Sequence, residues 1–300
     1  MTDLRVFRQR PASSAVELRQ VGVTVERDLQ RFVEANMDAV LGVRLVASEY
    51  PTGNVHRGRP DSLGLDADGR PVIVEYKRGR ADGVVAQLLF YLDWLVDHRA
   101  EFEQLVATRL GEQAARNIDW SSPRLICVAA DFGRYEAHAV RQLSHSVELL
   151  RFRAYDDDLL VIESAASSPS AGTARPVRTG PVTTRTTEPS GSPVAQQSVK
   201  DLFAQVHSAA AALGSDVRVE LRKHYTAYRR TRNFACVRTQ RSGLLMYLPL
   251  DPGSVPLAAG FTRDVRGVGH LGTGDLEVRI TSAGDVRRAV PLLERSYQEV

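Results

Sequence analysis

The sequence predicts an α/β domain built on a mixed sheet, followed by a smaller α+β domain. Three observations predict it. Residues 1–163 alternate helix, strand-hairpin, helix and strand signals. Residues 164–198 are rich in Ser, Thr, Pro, Gly and Ala without apolar periodicity, which reads as a flexible linker. Residues 199–300 then resume the pattern with a basic charge balance.

In order along the chain, 25–41 puts Val25, Leu29, Phe32, Val33, Met37 and Val40 on one helical face and stops at Gly42. Strand-like runs follow at 43–50 and 61–66. Asp68-Gly69 then turns tightly into 71–77, predicting a hairpin. Helices are expected at 82–98 and 99–110, a buried strand at 124–130, a helix near 134–145, and strands at 147–153 and 158–163. The second domain reads as a helix at 199–213, a basic segment, strands at 234–238 and 243–250, a Gly-rich turn at 267–275, a strand at 276–280 and a helix at 282–297.

With 43% hydrophobic and 25% charged residues, the composition is that of a globular protein. No run approaches the length of a membrane span, and the first twenty residues lack the apolar core of a secretory signal. Cys127 and Cys236 are too few for a disulfide framework or a zinc site, and both lie in apolar runs where they read as buried small hydrophobes. A cytoplasmic, reduced protein without a membrane partner is expected. The net charge of +3 divides into −4 for 1–163, +2 for 164–199 and +5 for 200–300, which suggests an anionic partner for the tail. Only three of the 39 basic residues are lysine: Lys77, Lys200 and Lys223.

That scarcity draws attention to Lys77. Asp61 opens one strand of the expected hairpin, and Glu75 and Lys77 end the other on one face, since strand side chains alternate with period two. Two carboxylates at one point suit Mg²⁺, or Mn²⁺, which can polarise a phosphodiester oxygen and activate water. A lysine beside them offers a compact charge that a guanidinium does not. The alternative is a solvated strand edge, although Val72, Ile73 and Val74 make the strand continuously apolar. On 82–98, Gln87, Tyr91, Trp94 and His98 form a stripe of helical spacing, either packing or site wall, and Gln87 is hard to explain as core. Glu26, at the margin of the first helix's apolar face, either leans over the sheet toward Asp61 and Glu75 or is solvated.

Together with Glu49-Tyr50-Pro51-Thr52, Gly58-Arg59-Pro60-Asp61, Glu75-Tyr76-Lys77-Arg78-Gly79 and Gln87-x-x-x-Tyr91, residues 20–160 resemble the NucS-type branch of the PD-(D/E)XK nucleases. The resemblance implies a restriction-endonuclease-like mixed sheet flanked by helices. It also implies Mg²⁺- or Mn²⁺-dependent hydrolysis of DNA, a DNA partner and a homodimer. By position, Asp61 and Glu75 would hold metal, Lys77 would position water, Gln87 would orient the site and Glu26 would be an accessory carboxylate. Arg59 and Arg78 would face DNA. The DNA-binding domain of that family usually precedes the nuclease, whereas an extra domain follows here. A rival from another class is a nuclease-derived module that binds nucleic acid or protein without cutting.

The tail resembles the DUF5655 family through Lys223-His224-Tyr225, Asn233-Phe234-Ala235 and the 269–277 segment. Its Gly-rich loop either cradles phosphate or permits a tight turn, and His270 with Asp275 is either a catalytic pair or a loop histidine capped by an aspartate. Lys223, Tyr225, Arg229, Arg230 and Arg232 interleave cations with rings, as a nucleic-acid surface would; a solvated helix face is the other reading. Arg175, Arg178 and Arg185 of the linker offer a weaker reading of the same kind.

Overall fold

The computed structural model describes residues 4–10, 14–22, 25–156, 158–168, 193–222, 224–268 and 272–300. The chain separates into two units, Met1–Pro169 and Ser170–Val300. The first begins with β1 (Phe7–Arg10), β2 (Ser14–Glu17) and β3 (Gln20–Val21), then α1 (Glu26–Ala35), α2 (Met37–Leu41), β4 (Val43–Ser48) and α3 (Gly53–His56). The hairpin strands β5 (Ser62–Asp66) and β6 (Pro71–Ala81) lead to α4 (Val84–Asp97), α5 (Arg99–Leu110) and α6 (Glu112–Arg116). They are followed by β7 (Arg124–Phe132), α7 (Arg134–Val140), β8 (Ser146–Tyr155) and β9 (Leu159–Ser167).

The sheet runs β4-β5-β6-β7-β8, with β3 and β9 both paired to β8. The β6–β7 and β7–β8 pairs are parallel and the rest antiparallel, so the expected mixed sheet is the one found. Alternation along β6 sends Val72, Val74 and Tyr76 toward α1 and α2, where they meet Leu29, Val33, Met37 and Leu41. Ile73 joins Leu63, Leu65, Leu125 and Cys127 beneath α4 and α5. Both faces of the central strands are therefore covered by helices, which explains the unbroken apolar run.

The single helix expected over 25–41 is two helices that break at Asn36. Phe32 and Val25 are exposed, and the buried face is Leu29, Gln30, Val33, Met37 and Leu41. The buried face of α1 is centred between Leu29, Gln30 and Val33, which leaves Phe32 off its edge. The hairpin β1–β2 and strand β3 carry too little periodicity to have been expected. At the linker, β9 extends to Ser167 and the next helix starts at Pro193, so ordered structure enters both ends of the expected 164–198 stretch. Arg175, Arg178 and Arg185 lie outside the described residues.

The second unit contains α8 (Pro193–Ala211), β10 (Arg218–Leu221), β11 (Thr226–Arg229), β12 (Asn233–Gln240), β13 (Gly243–Leu248), β14 (Thr262–Asp264), β15 (Leu276–Ile280) and α9 (Ala283–Glu299). Its antiparallel sheet has the order β10-β11-β12-β13-β15-β14. Leu244, Met246 and Leu248 alternate with Leu245 and Tyr247. The first set packs with Leu202, Val206, Val286 and Leu293 of α8 and α9, and the second lies on the opposite face with Cys236 and Val265. In the Gly-rich turn, Gly274 has φ +132°, and a Cβ there would lie 2.5 Å from the Leu248 carbonyl carbon. That position needs glycine for close backbone approach. Among the described residues no helix is long and apolar enough to cross a membrane.

Candidate active site

Asp61 lies one residue ahead of β5, just beyond the Ser62–Val74 pair, and so faces Glu75 across the ladder. Its backbone N–H donates to Glu75 Oε1 at 3.1 Å, and its own Oδ2 accepts from the Tyr76 N–H at 2.9 Å. Lys77 Nζ stands 3.6 Å from Glu75 Oε2 and 4.0 Å from Glu26 Oε1. From α4, Gln87 Nε2 donates to Glu75 Oε2 at 2.8 Å. Glu26 Oε2, at the start of α1, accepts from the Arg78 N–H at 2.9 Å. Asp61, Glu75, Lys77, Gln87 and Glu26 thus meet at one end of the sheet. The register of β6 against β7 shifts just after Lys77, where the strand leaves its regular ladder.

The electrostatics follow from this crowding. Glu75 is 1% exposed, and burial together with the Asp61 charge pushes its carboxyl up to about 8. Burial also raises Asp61, against the Tyr76 N–H bond and the Lys77 charge. Burial works against the Lys77 ammonium, but Glu75, Asp61 and Glu26 outweigh it and the amine is raised. One ammonium faces three carboxylates, and that excess of negative charge is what a divalent cation would balance. Two carboxylates suit an ion of the Mg²⁺ type, which takes one or two of them and keeps its remaining positions for water and phosphate. Among the described residues no group of three or more His, Cys, Asp or Glu is placed to hold a metal.

A second layer was missed by the sequence reading. Gln30 Nε2 donates to the Asp61 carbonyl at 3.1 Å and to Glu34 Oε1 at 3.0 Å. The Glu49 N–H reaches the same carbonyl at 2.8 Å. Ser62 Oγ donates to Glu34 Oε1 at 2.6 Å, with Tyr76 Oη 3.2 Å away. The available signal was the polar stripe Glu26, Gln30, Glu34 at i, i+4, i+8 beside the apolar face of α1. On α4, Tyr91 and Trp94 are buried and therefore pack, with Trp94 5.7 Å from the Tyr50 ring. Tyr91 Oη lies 3.3 Å from Gln87 Nε2. Gly58 makes room for that ring, since a Cβ there would come within 2.6 Å of it. Arg59 is exposed and paired with Glu49 at 3.2 Å, and Arg78 is exposed beside Glu26.

The expected nucleic-acid segment of the tail does not form a helix face. It folds into β11 and the start of β12, with Tyr228 and Phe234 in the core. Arg229 is 4% exposed and lies against Glu220 and the Thr231 carbonyl, so it is not presented to solvent. Arg230 pairs with Asp216 at 2.6 Å and stacks over Tyr297. Tyr225 is half-buried against Ala227, Cys236 and Tyr247, and Arg232 is half-buried. Lys223 and His270 lie outside the described residues.

Residues 191–299 match the family model "Domain of unknown function (DUF5655)". That match agrees with the resemblance read from the tail. An uncharacterized protein of Haemophilus influenzae is 25% identical over 294 residues, spanning 94% of this chain and 96% of that one. Among solved structures, a repair endonuclease from Pyrococcus abyssi is 23% identical over 46% of this chain and 50% of its own, with a TM-score of 0.30. A structure titled "EndoMS-dsDNA2 complex" is 16% identical over 49% of this chain and 65% of its own, with a TM-score of 0.29. The match therefore spans about half to two thirds of those chains.

Proposed function

We propose that the N-terminal unit is a divalent-metal-dependent endonuclease that hydrolyses DNA phosphodiester bonds. The observation that carries this reading is the meeting of Asp61, Glu75 and Lys77 at one sheet end, with Gln87 fixing Glu75. In this reading Asp61 and Glu75 hold Mg²⁺ or Mn²⁺. The bound ion supplies polarisation of a phosphodiester oxygen and a more acidic water. Lys77 donates from its ammonium to the attacking water or to a phosphate oxygen, at a place where Glu75 already orients it. Gln87 keeps the Glu75 carboxylate in one rotamer, and Glu26 supports the Arg78 backbone and the Lys77 charge. Gln30 and the Glu49 N–H hold the Asp61 backbone, so the Asp61 side chain is aimed by a rigid strand end.

The test is incubation of the full chain with labelled linear and branched DNA in Mg²⁺, in Mn²⁺ and in EDTA. Cleavage is expected in either metal and not in EDTA. Asp61→Asn and Glu75→Gln are expected to stop cleavage while DNA binding persists. Binding without any cutting by the unaltered chain would overturn the reading in favour of a non-cleaving module.

A further inference from the structure

The second unit carries five more positive than negative charges across 200–300, yet Arg229 is buried and Arg230 is paired with Asp216. Part of the remaining charge lies on the sheet face opposite α8 and α9. Strand register lines up Glu220, Ala227, Cys236, Tyr247, Glu277 and Arg263 as one row across all six strands. The next row places Arg238, Leu245 and Arg279 side by side. Leu276, Val278 and Ile280 face the helices, so Glu277 and Arg279 face away from them, and cross-strand pairing carries Arg238 and Arg263 to the same side.

The two halves of this face differ. At the β10–β11 end, Arg222 and Arg229 pair with Glu220. At the other end Arg263 and Arg279 are exposed and Arg238 is half-exposed, and among the described residues none of the three has an ion pair. The acidic group in their row, Glu277, is buried and accepts from Tyr247 Oη at 3.2 Å. Arg238 and Arg279 flank Leu245 on adjacent strands, roughly 10 Å apart by the inter-strand spacing, and Arg263 lies diagonally beyond. Three unpaired guanidiniums on a rigid sheet are a cationic surface that can pair with the phosphates of a polyanion. The ring at the centre is Tyr247, only 2% exposed, so it cannot stack on a base.

We infer that Arg238, Arg263 and Arg279 form the surface by which the second unit docks on the phosphate backbone of duplex DNA, without reading bases. The choice of DNA over other polyanions rests on the nuclease reading; the basic face itself does not. Sequence reading could not find it, because the three residues are 16 to 41 positions apart in the chain and meet only through strand register.

The test is fluorescence anisotropy of the full chain with a labelled duplex in EDTA, where cutting plays no part, over a range of salt. Arg238→Ala/Arg263→Ala/Arg279→Ala is expected to weaken binding at low salt by about tenfold or more. It should also flatten the log–log salt dependence by roughly 2–3, near 0.9 per lost contact. Arg266→Ala/Arg287→Ala/Arg295→Ala removes the same charge from other places and is expected to change affinity less than threefold. Two duplexes of unrelated sequence are expected to bind alike. Equal losses in the two triple variants, or none in the first, would overturn the inference. The same would follow if the first variant lost affinity for only one of the two sequences. A chain that binds through this face but never cuts in Mg²⁺ would sink the nuclease reading and leave the surface standing.

Discussion

At one end of the β5–β6 hairpin, Asp66, Arg70, Arg124 and Glu148 form a closed set; at the other, Asp61, Glu75, Lys77 and Glu26 form an open one. In the closed set Arg70 Nη2 is 2.8 Å from Asp66 Oδ2, Arg124 Nη1 is 3.4 Å from the same oxygen, and Arg124 Nη2 is 2.7 Å from Glu148 Oε1. Asp66, Arg70 and Arg124 are each no more than 2% exposed. Planar guanidiniums hold these carboxylates in fixed geometry, which suits a structural role. In the open set one half-buried ammonium serves three carboxylates, and two of those carboxylates are pushed up by burial. Charge is therefore buried at both ends of one sheet: at the first, two guanidiniums hold Asp66, Glu148 and also Asp68, 3.5 Å from Arg70, whereas at the second a single ammonium meets three carboxylates. On the proposed function, that second end is where a cation and a phosphodiester would be met.

Breaking the closed set has the largest expected effect on stability. Arg124→Met removes both of its salt links, leaving Asp66 to Arg70 and taking the guanidinium away from Glu148, at a cost of about 3–5 kcal/mol. Urea denaturation measures it, and a loss below 1 kcal/mol would remove the structural half of the comparison. The open set has the opposite sign. Glu75→Gln is expected to stabilise the metal-free protein at pH 7 by roughly 1–3 kcal/mol while ending cleavage. The sign follows from proton binding. The Glu75 carboxyl lies at about 8 when folded, against its ordinary 4.5. Between those values the folded state keeps a proton that the unfolded state releases, so stability falls as pH rises through the window. The glutamine variant lacks that slope, and its advantage is expected to vanish below pH 4.5. A destabilised Glu75→Gln at pH 7 would mean that the end is balanced after all.

The contrast also shows what could be read from sequence. The hairpin, the alternation on β6 and the lone lysine placed Asp61, Glu75 and Lys77 together without coordinates, because period two and a tight turn fix relative positions over short spans. Gln87 and Glu26 needed two helices to be set against the sheet, and helical spacing toward a polar margin was enough to nominate them. Gln30 and Glu34 continue the polar stripe that starts at Glu26, but that stripe does not say which strand end it meets, so their part in holding Asp61 and Ser62 shows only in the fold. The closed set escaped because it joins Arg70 of the β5–β6 turn to Arg124 of β7 and Glu148 of β8, which long connections separate. In the tail, Arg229 was misplaced because a basic, aromatic run has the same composition on a helix face and on a half-buried strand.

A smaller effect sharpens the distinction between the two cations. Lys77→Arg keeps the positive charge beside Glu75, so stability is expected to change by less than about 1 kcal/mol, as suits a side chain that is 31% exposed. The bulkier, delocalised fork cannot place a single donor on water or phosphate as the ammonium does. Cleavage is expected to fall by roughly 10²-fold, comparable to losing one preorganised donor, with DNA affinity unchanged. Full activity in the arginine variant would show that only charge is required at 77, and the scarcity of lysine would lose its meaning.

The smallest effect belongs to Glu26. Its side chain is 43% exposed and its oxygen stands 4.0 Å from Lys77 Nζ, the longest contact in the set. An ion pair of that exposure contributes about 0–1 kcal/mol, and its removal also relieves some repulsion with Asp61 and Glu75. What remains is the hydrogen bond from the Arg78 N–H, which steadies the strand where it leaves its ladder. Glu26→Ala is therefore expected to lower cleavage by less than tenfold and to leave the Mg²⁺ concentration for half-maximal activity within threefold. The measurement is a metal titration of the cleavage rate for the two proteins side by side. A loss as deep as that of Glu75→Gln, with a large rise in the Mg²⁺ required, would promote Glu26 from support to metal holder and make the open end a three-carboxylate site.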